Sequence, residues 1–321
     1  MPAASVNRPP RVSVVMTSFN KANLLAEAIQ SVLNQTYQDF EILVVDDGSH
    51  DHSLEIVEGF RRKRPDKLFL FTHPGHVNKG IVLTYLLGIS KARGNYVAFL
   101  EQDDCWPRGY LINKIEILNA NPEVGVVFSP YKVVGSGAFG LDMIVRQWLM
   151  RFAIAKAKAF DNFGNLLQSN NVSTFSCFVA RRELLDQVPP TSNLIVAYDW
   201  WVLIHLSVQC LFYYDETCST YWRWSPSSVI GRQTFEVHRD RGTEFMESIY
   251  VQLDKDIDNL DSFKKRKFLA SKETFAYFLV FYRKPSVLGF LRFFKKAPIW
   301  ALASLASSII NFAKFNYLKP K

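Results

Sequence analysis

The strongest constraint on the fold is a rhythm in the first 130 residues, where short β-branched runs alternate with longer stretches of helical spacing. Val12–Met16 is followed by Leu24–Leu33, Glu41–Val45 by Ser53–Phe60, Leu68–Phe71 by Val82–Ile89, and Tyr96–Leu100 by Leu111–Leu118; Val124–Phe128 closes the series. Strand, helix, strand repeats of this kind build a parallel sheet. Runs such as Val12-Ser13-Val14-Val15-Met16 are apolar at successive positions, so helices are expected to cover both faces of the sheet. Ligands of such sheets bind beyond the carboxyl ends of the strands. Thr17, Asp46 and Asp47, and Glu101 to Asp104 follow directly on three of the runs and are the first residues to consider.

Charge narrows the class of partner. The 321 residues carry a formal +8, but residues 264–321 hold 13 basic side chains and one acidic, which leaves −4 for residues 1–263. A main fold that grips nucleic acid is disfavoured, because its phosphate-facing surface would itself have to be basic. Cys105, Cys177, Cys210 and Cys218 are widely spaced and form no Cys-x-x-Cys, which reads as reduced thiols in a cytoplasmic protein. Met1–Pro10 holds no apolar stretch of the kind a secretory signal needs, so export is not expected.

The acids at the strand ends carry the chemistry. Val44-Val45-Asp46-Asp47-Gly48-Ser49 places two carboxylates where an apolar strand emerges, and either could serve as a cap for the helix beginning near His52. Glu101-Gln102-Asp103-Asp104 places three more at the end of another strand, a crowding of like charge that a cation would relieve. Oxygen ligands without a neighbouring His favour Mg²⁺ or Mn²⁺, which commonly take one or two carboxylates and complete their shell from water and substrate phosphates. No glycine-rich phosphate loop is present. A metal-bound diphosphate that departs as a leaving group suits such a site.

Several segments resemble family 2 glycosyltransferases of the GT-A fold: Val12 to Asn20, Ser31 to Tyr37, Asp39-Phe40-Glu41, Val45 to Ser49 with Asp51, and Gly94 to Pro107. The likeness is dense over residues 11–128, thinner to about 232 and absent beyond. It implies an α/β fold with a Rossmann-like, mostly parallel sheet flanked by helices and a C-terminal helical extension. It further implies an inverting, metal-dependent transfer of sugar from a nucleotide-diphosphate donor, most readily a UDP-hexose or UDP-N-acetylhexosamine, to a hydroxyl of a glycan, lipid-linked or protein-linked acceptor. By position, Thr17 and Phe19 resemble the pair that meets the base, Phe19 by stacking, and Asp47 the acid that hydrogen-bonds uracil. Asp103 resembles the metal-binding Asp, Glu101 the first acid of the Asp-x-Asp motif, and Asp104 its neighbour at the ribose, sugar or metal. Asp199, in Val196 to Leu203, resembles the general base, with an N-cap role as the alternative. Its aromatic neighbours are expected to desolvate it and favour proton uptake.

The chain departs from the family pattern at Glu101, where Asp is usual, and at Ser225, where a His is usual. Tyr85-Leu86 stands in place of Arg-Asn, with Lys79 as an alternative source of positive charge; Arg223 is a lesser candidate on the diphosphate side. Trp200, Trp201, Trp222 and Trp224 read equally as platforms for an acceptor sugar or as core.

The implied organisation is a catalytic domain over 1–232, nucleotide-binding to about 128 and acceptor-binding from about 129, followed by a basic, aromatic extension over 233–321. The uncharged run from Ala297 to Ala313 is 17 residues long, short of the roughly 20 of a spanning helix, and contains Pro298 and Asn311. Lys and Arg among Phe, Trp and Leu suit docking on the inner face of an anionic membrane, with packing on the protein's own core as the alternative. Two rival classes are a catalytically silent nucleotide-sugar-binding module and a nucleotidyltransferase; Thr17-Ser18-Phe19-Asn20-Lys21 lacks the Gly-rich loop the latter requires. Oligomeric state is not legible.

Overall fold

The computed structural model describes residues 9–134, 159–167, 170–191, 197–223 and 235–283. They fall into two compact units, one containing 9–134, 159–161, 172–191 and 197–223, the other 162–167, 170–171 and 235–283.

In the first unit the expected alternation is realised. Strand β1 (Val12–Ser18) leads to α1 (Ala22–Leu33), β2 (Phe40–Asp46) to α2 (Ser53–Lys63), β3 (Leu68–Thr72) to α3 (Ile81–Lys91), and β4 (Tyr96–Phe99) to α4 (Tyr110–Ala120) and β5 (Val124–Phe128). Then come β6 (Tyr131–Val134), β7 (Ala159–Phe160), α5 (Phe163–Leu166, in the second unit), β8 (Phe178–Arg181), α6 (Arg182–Leu185), α7 (Tyr198–Gln209), β9 (Leu211–Tyr214) and β10 (Thr220–Arg223). Eight strands form one sheet in the order β3-β2-β1-β4-β8-β5-β9-β7, and β10 pairs with β6 in a second. β1 is parallel to β2 and β4, β2 to β3, and β5 to β9; β8 runs antiparallel between β4 and β5, and β7 antiparallel to β9. The α/β, mostly parallel sheet implied by the sequence is therefore observed.

Every residue of β1, β2, β4 and β5 is buried, which is the cost-free way to place consecutive Val and Ile in a sheet covered on both faces. α1 buries Leu25, Ala28, Ile29 and Val32, one face at helical spacing. α3 lies so close to β1 that a Cβ on Gly88 would stand 2.4 Å from Val15 Cγ1.

Register positions the site. β1 pairs Val12 with Tyr96 through Val15 with Phe99, so Thr17 and Ser18 overrun the end of β4; on its other edge β1 stays in step with β2 to Ser18 and Asp46. The residues after β4 consequently fold back beside Thr17–Phe19.

The second unit holds α5 with α8 (Phe235–Lys255) and α9 (Ser262–Arg283). Tyr250 and Phe268 pack ring to ring, and the Tyr250 hydroxyl is 2.8 Å from Ser271 Oγ. Asp261 Oδ1 accepts the backbone N–H groups of Phe263 and Lys264, which starts α9 and resolves the charged stretch 254–267 into two helices with a turn between them. Among the described residues no helix is long and apolar enough to cross a membrane. The interfacial segment expected beyond Arg283, the tryptophan Trp224 read as platform or core, and the departure at Ser225 lie outside the described residues.

Candidate active site

The carboxyl ends of β2, β1 and β4 bring most of the expected residues to one edge. Thr17 is buried at the end of β1, and Phe19 beyond it is 39% exposed. The Phe19 backbone is clamped by Gln102, whose Oε1 accepts its N–H (2.8 Å) and whose Nε2 donates to its carbonyl (3.1 Å). An exposed ring on a fixed backbone is a ready stacking surface.

The two acids after β2 divide their work. Asp46 Oδ1 accepts the N–H of Ser49 and Oδ2 its hydroxyl, closing the turn in which Gly48 takes φ +78°. Asp47, also buried, accepts the N–H of Lys79 (2.6 Å) and of Gly80 (3.0 Å), with His73 Nε2 at 3.6 Å. Two of its four lone-pair sites remain for a ligand. Lys79 meets Asp47 through its backbone, and its side chain is exposed. Neither of these acids caps α2, whose N-cap position is His52; Asp51 just before it accepts the Ser53 N–H through Oδ1.

The acids after β4 crowd one another. The Glu101 carboxyl is pushed up to about 7, first by burial and then by Asp103 and Asp199, while the Thr174 hydroxyl (2.6 Å) and Lys21 oppose the shift. Asp104 is raised well above the usual carboxylate range by burial and by Glu101 and Asp103. Its Oδ1 accepts the Arg223 N–H (3.0 Å), whereas its buried Oδ2 makes no well-formed hydrogen bond among the described residues, although Ser176 lies beside Asp104. Asp103 Oδ2 meets Lys21 Nζ at 2.5 Å.

Asp199 lies in the first turn of α7, two residues after Ala197, which takes a left-handed φ of 65°. Its Oδ1 accepts the N–H of Trp200. Tyr198, its neighbour in α7, packs on Tyr85 and Phe175, which in turn pack on Phe99 at the end of β4, so the start of α7 lies close to the end of β4. Left-handed backbone recurs at this edge, in Asn20, Gly48, Gly80, Ser173 and Ala197, each within two residues of a side chain described above. Such backbone outliers concentrate where geometry is held for function.

Sequence reasoning missed Lys21, Gln102, Thr174 and Ser176. Ser176 Oγ accepts the Glu101 N–H, and its carbonyl accepts from Trp106, Tyr110 and Thr220. Of the tryptophans, Trp201 and Trp222 are core, Trp201 donating to Pro189 O and Trp222 packing on Tyr131; Trp200 is partly buried. Arg223 turns to Glu27 (2.6 Å) and Cys105 (2.9 Å).

The residues suit a divalent ion at Asp103 and Asp104. Asp104 carries a buried oxygen without a well-formed hydrogen bond among the described residues, and its like-charged neighbours gain from a cation. Among the described residues no three ligating side chains gather, so water and, with donor bound, substrate phosphate would complete the shell.

Residues 13–188 match the model of glycosyl transferase family 2. An uncharacterized glycosyltransferase of Nostoc is 36% identical over 117 residues, 36% of this chain and 35% of that protein; the chain thus spans about a third of that relative. The Escherichia coli UDP-Glc:alpha-D-GlcNAc-diphosphoundecaprenol beta-1,3-glucosyltransferase WfgD is 27% identical over 207 residues, 57% of this chain and 80% of its own. Staphylococcus aureus TarS 1-349 in complex with UDP-GlcNAc superposes with a TM-score of 0.63 at 17% identity, covering 91% of this chain and 81% of that one, a likeness of fold.

Proposed function

This chain belongs to glycosyl transferase family 2, and on that footing we propose that it moves a sugar, with inversion, from a UDP-linked donor to a hydroxyl of a glycan or lipid-linked acceptor. The observation that carries the reading is the gathering of Glu101, Asp103 and Asp104 after β4 beside the edge where Thr17 and Phe19 emerge, tied there by Gln102 to Phe19 and by Thr174 to Glu101, with the start of α7 brought up by Tyr198 packing on Tyr85. The activity in the name of WfgD, with a UDP-glucose donor and a diphosphoundecaprenol-linked acceptor, supports the donor and acceptor classes.

In this reading Phe19 stacks on the base beside Thr17, and Asp47 accepts a hydrogen bond from the base with its remaining lone pairs. Asp199 takes the proton of the acceptor hydroxyl as its oxygen forms a bond to the anomeric carbon, and the bond to the nucleoside diphosphate breaks on the opposite side. Asp103 and Asp104 would hold Mn²⁺ or Mg²⁺, which when bound supplies positive charge to the leaving diphosphate. Glu101 shapes the floor through Thr174 and Ser176 and keeps one more methylene of reach than the usual Asp. The C-terminal extension brings the enzyme to a membrane surface where a lipid-linked acceptor is presented.

A donor screen by nucleoside-diphosphate release tests this. UDP release from one UDP-sugar in the presence of Mn²⁺ is expected, and Asp103→Asn is expected to lose metal-dependent donor binding. Binding without release across a broad acceptor panel would instead favour a silent nucleotide-sugar-binding module.

A further inference from the structure

We propose that Lys21 is a displaceable counter-ion of the site: its ammonium holds Asp103 in place, gives way there to the divalent ion that accompanies the donor, and moves onto the donor's diphosphate. This rests on the transfer reading above.

Three observations carry it. The Lys21 ammonium lies 2.5 Å from Asp103 Oδ2, with the two side chains 22% and 19% exposed, so the pair is neither fully solvated nor locked in the core. The two segments that carry the pair are also tied together beside it, since Gln102 Oε1 accepts the Phe19 N–H and Gln102 Nε2 donates to the Phe19 carbonyl. Lys21 is presented by a braced turn: Asn20 takes φ 47°, its N–H donates to Ser49 Oγ (3.1 Å), and its Oδ1 accepts the N–H of His50 (2.8 Å). The Cα is therefore fixed by the turn that follows β2, while the four-carbon stem is free to swing its head across the cleft.

Neither neighbouring cation can take this part as placed. The side chain of Lys79 is exposed, and Arg223 is committed to Glu27 and Cys105. A divalent ion on the Asp103 carboxylate repels the ammonium seated on the same group, so binding of the ion weakens the Lys21–Asp103 pair. Once released, Lys21 would find a strong acceptor in the diphosphate of a donor bound at the same ion. The consequence is an ordered preference: metal alone has to displace Lys21 from Asp103, whereas metal arriving with diphosphate provides the ammonium with a new partner.

The test is Lys21→Met, which keeps the stem and removes the charge, with Lys21→Gln as the substitute should the first fail to fold. Free Mn²⁺ measured by electron paramagnetic resonance should reveal about threefold or more tighter Mn²⁺ binding to the nucleotide-free variant, because one competing charge is gone. Calorimetry with UDP in saturating Mn²⁺ should reveal about tenfold weaker UDP binding, restored to near wild type by Lys21→Arg. Mn²⁺ affinity that is unchanged or weaker in Lys21→Met overturns the exchange, and so does unchanged UDP affinity. Asp103→Asn measured in parallel separates the two levels. If it keeps full Mn²⁺ binding, the metal assignment itself fails; if it loses that binding while Lys21→Met behaves as wild type, only the role of Lys21 fails.

Discussion

At the scale of single residues the site is built from groups that the rest of the protein leaves incompletely satisfied. Tyr85 sits fully buried in α3 among Phe99, Phe175 and Tyr198, and its hydroxyl has no well-formed hydrogen bond among the described residues although Thr17 lies beside it. Burial, and then the charge of Glu101, raise its pKa well above the usual phenol value, so it stays a neutral donor. Removing an unpartnered buried hydroxyl relieves a desolvation cost of about 1–3 kcal/mol. Tyr85→Phe should therefore leave stability unchanged or raise it in urea unfolding; a loss above about 1 kcal/mol would mean that the hydroxyl has a partner in solution. Legibility followed sequence distance. Glu101, Asp103 and Asp104 are adjacent, and the acidic run with its strand was enough to find them. Lys21, Gln102 and Thr174 act on residues 82, 83 and 73 positions away, and only the tertiary fold brings such pairs together.

At the scale of elements, the repeat of strand and helix was legible through β5 because each unit announces its own period, apolar runs for strands and one buried face for α1. The antiparallel β8 was not. Within Val172–Val179, Ser173 turns left-handed at φ 83° and Phe175–Cys177 form a helical turn before β8 begins. That turn places Thr174 and Ser176 under Glu101, so the element that escaped the sequence reading is the one that supports the acidic floor. Away from the site, α4 is tied to the end of β9 by a buried ion pair, Lys114 Nζ to Asp215 Oδ2 at 2.5 Å. Burial lowers the pKa of Lys114 and Asp215 opposes that shift. Lys114→Met strands a buried carboxylate and should cost about 3–5 kcal/mol, most of it recovered in Lys114→Met/Asp215→Leu. Urea denaturation of the three proteins checks this; a single variant within about 1 kcal/mol of wild type would mean that the pair carries little.

At the scale of the whole molecule, charge is divided along the chain rather than spread over it. Residues 284–321 hold seven basic side chains and no acidic one. Near an anionic surface each contributes about 1 kcal/mol, falling off within a Debye length. Full-length protein should cosediment with vesicles containing anionic lipid, less so at high salt, and a chain ending at Arg283 should bind at least about tenfold more weakly. Equal binding by the two would remove the membrane from the account.

The central claim is that Asp199 is the base of a sugar transfer performed at the ends of β1, β2 and β4. The most direct test compares turnover and donor affinity in Asp199→Asn, using the donor identified by nucleoside-diphosphate release. Loss of a general base predicts a fall in kcat of about 10²–10⁴-fold with donor Kd within about threefold of wild type. Turnover near wild type in Asp199→Asn would contradict the account.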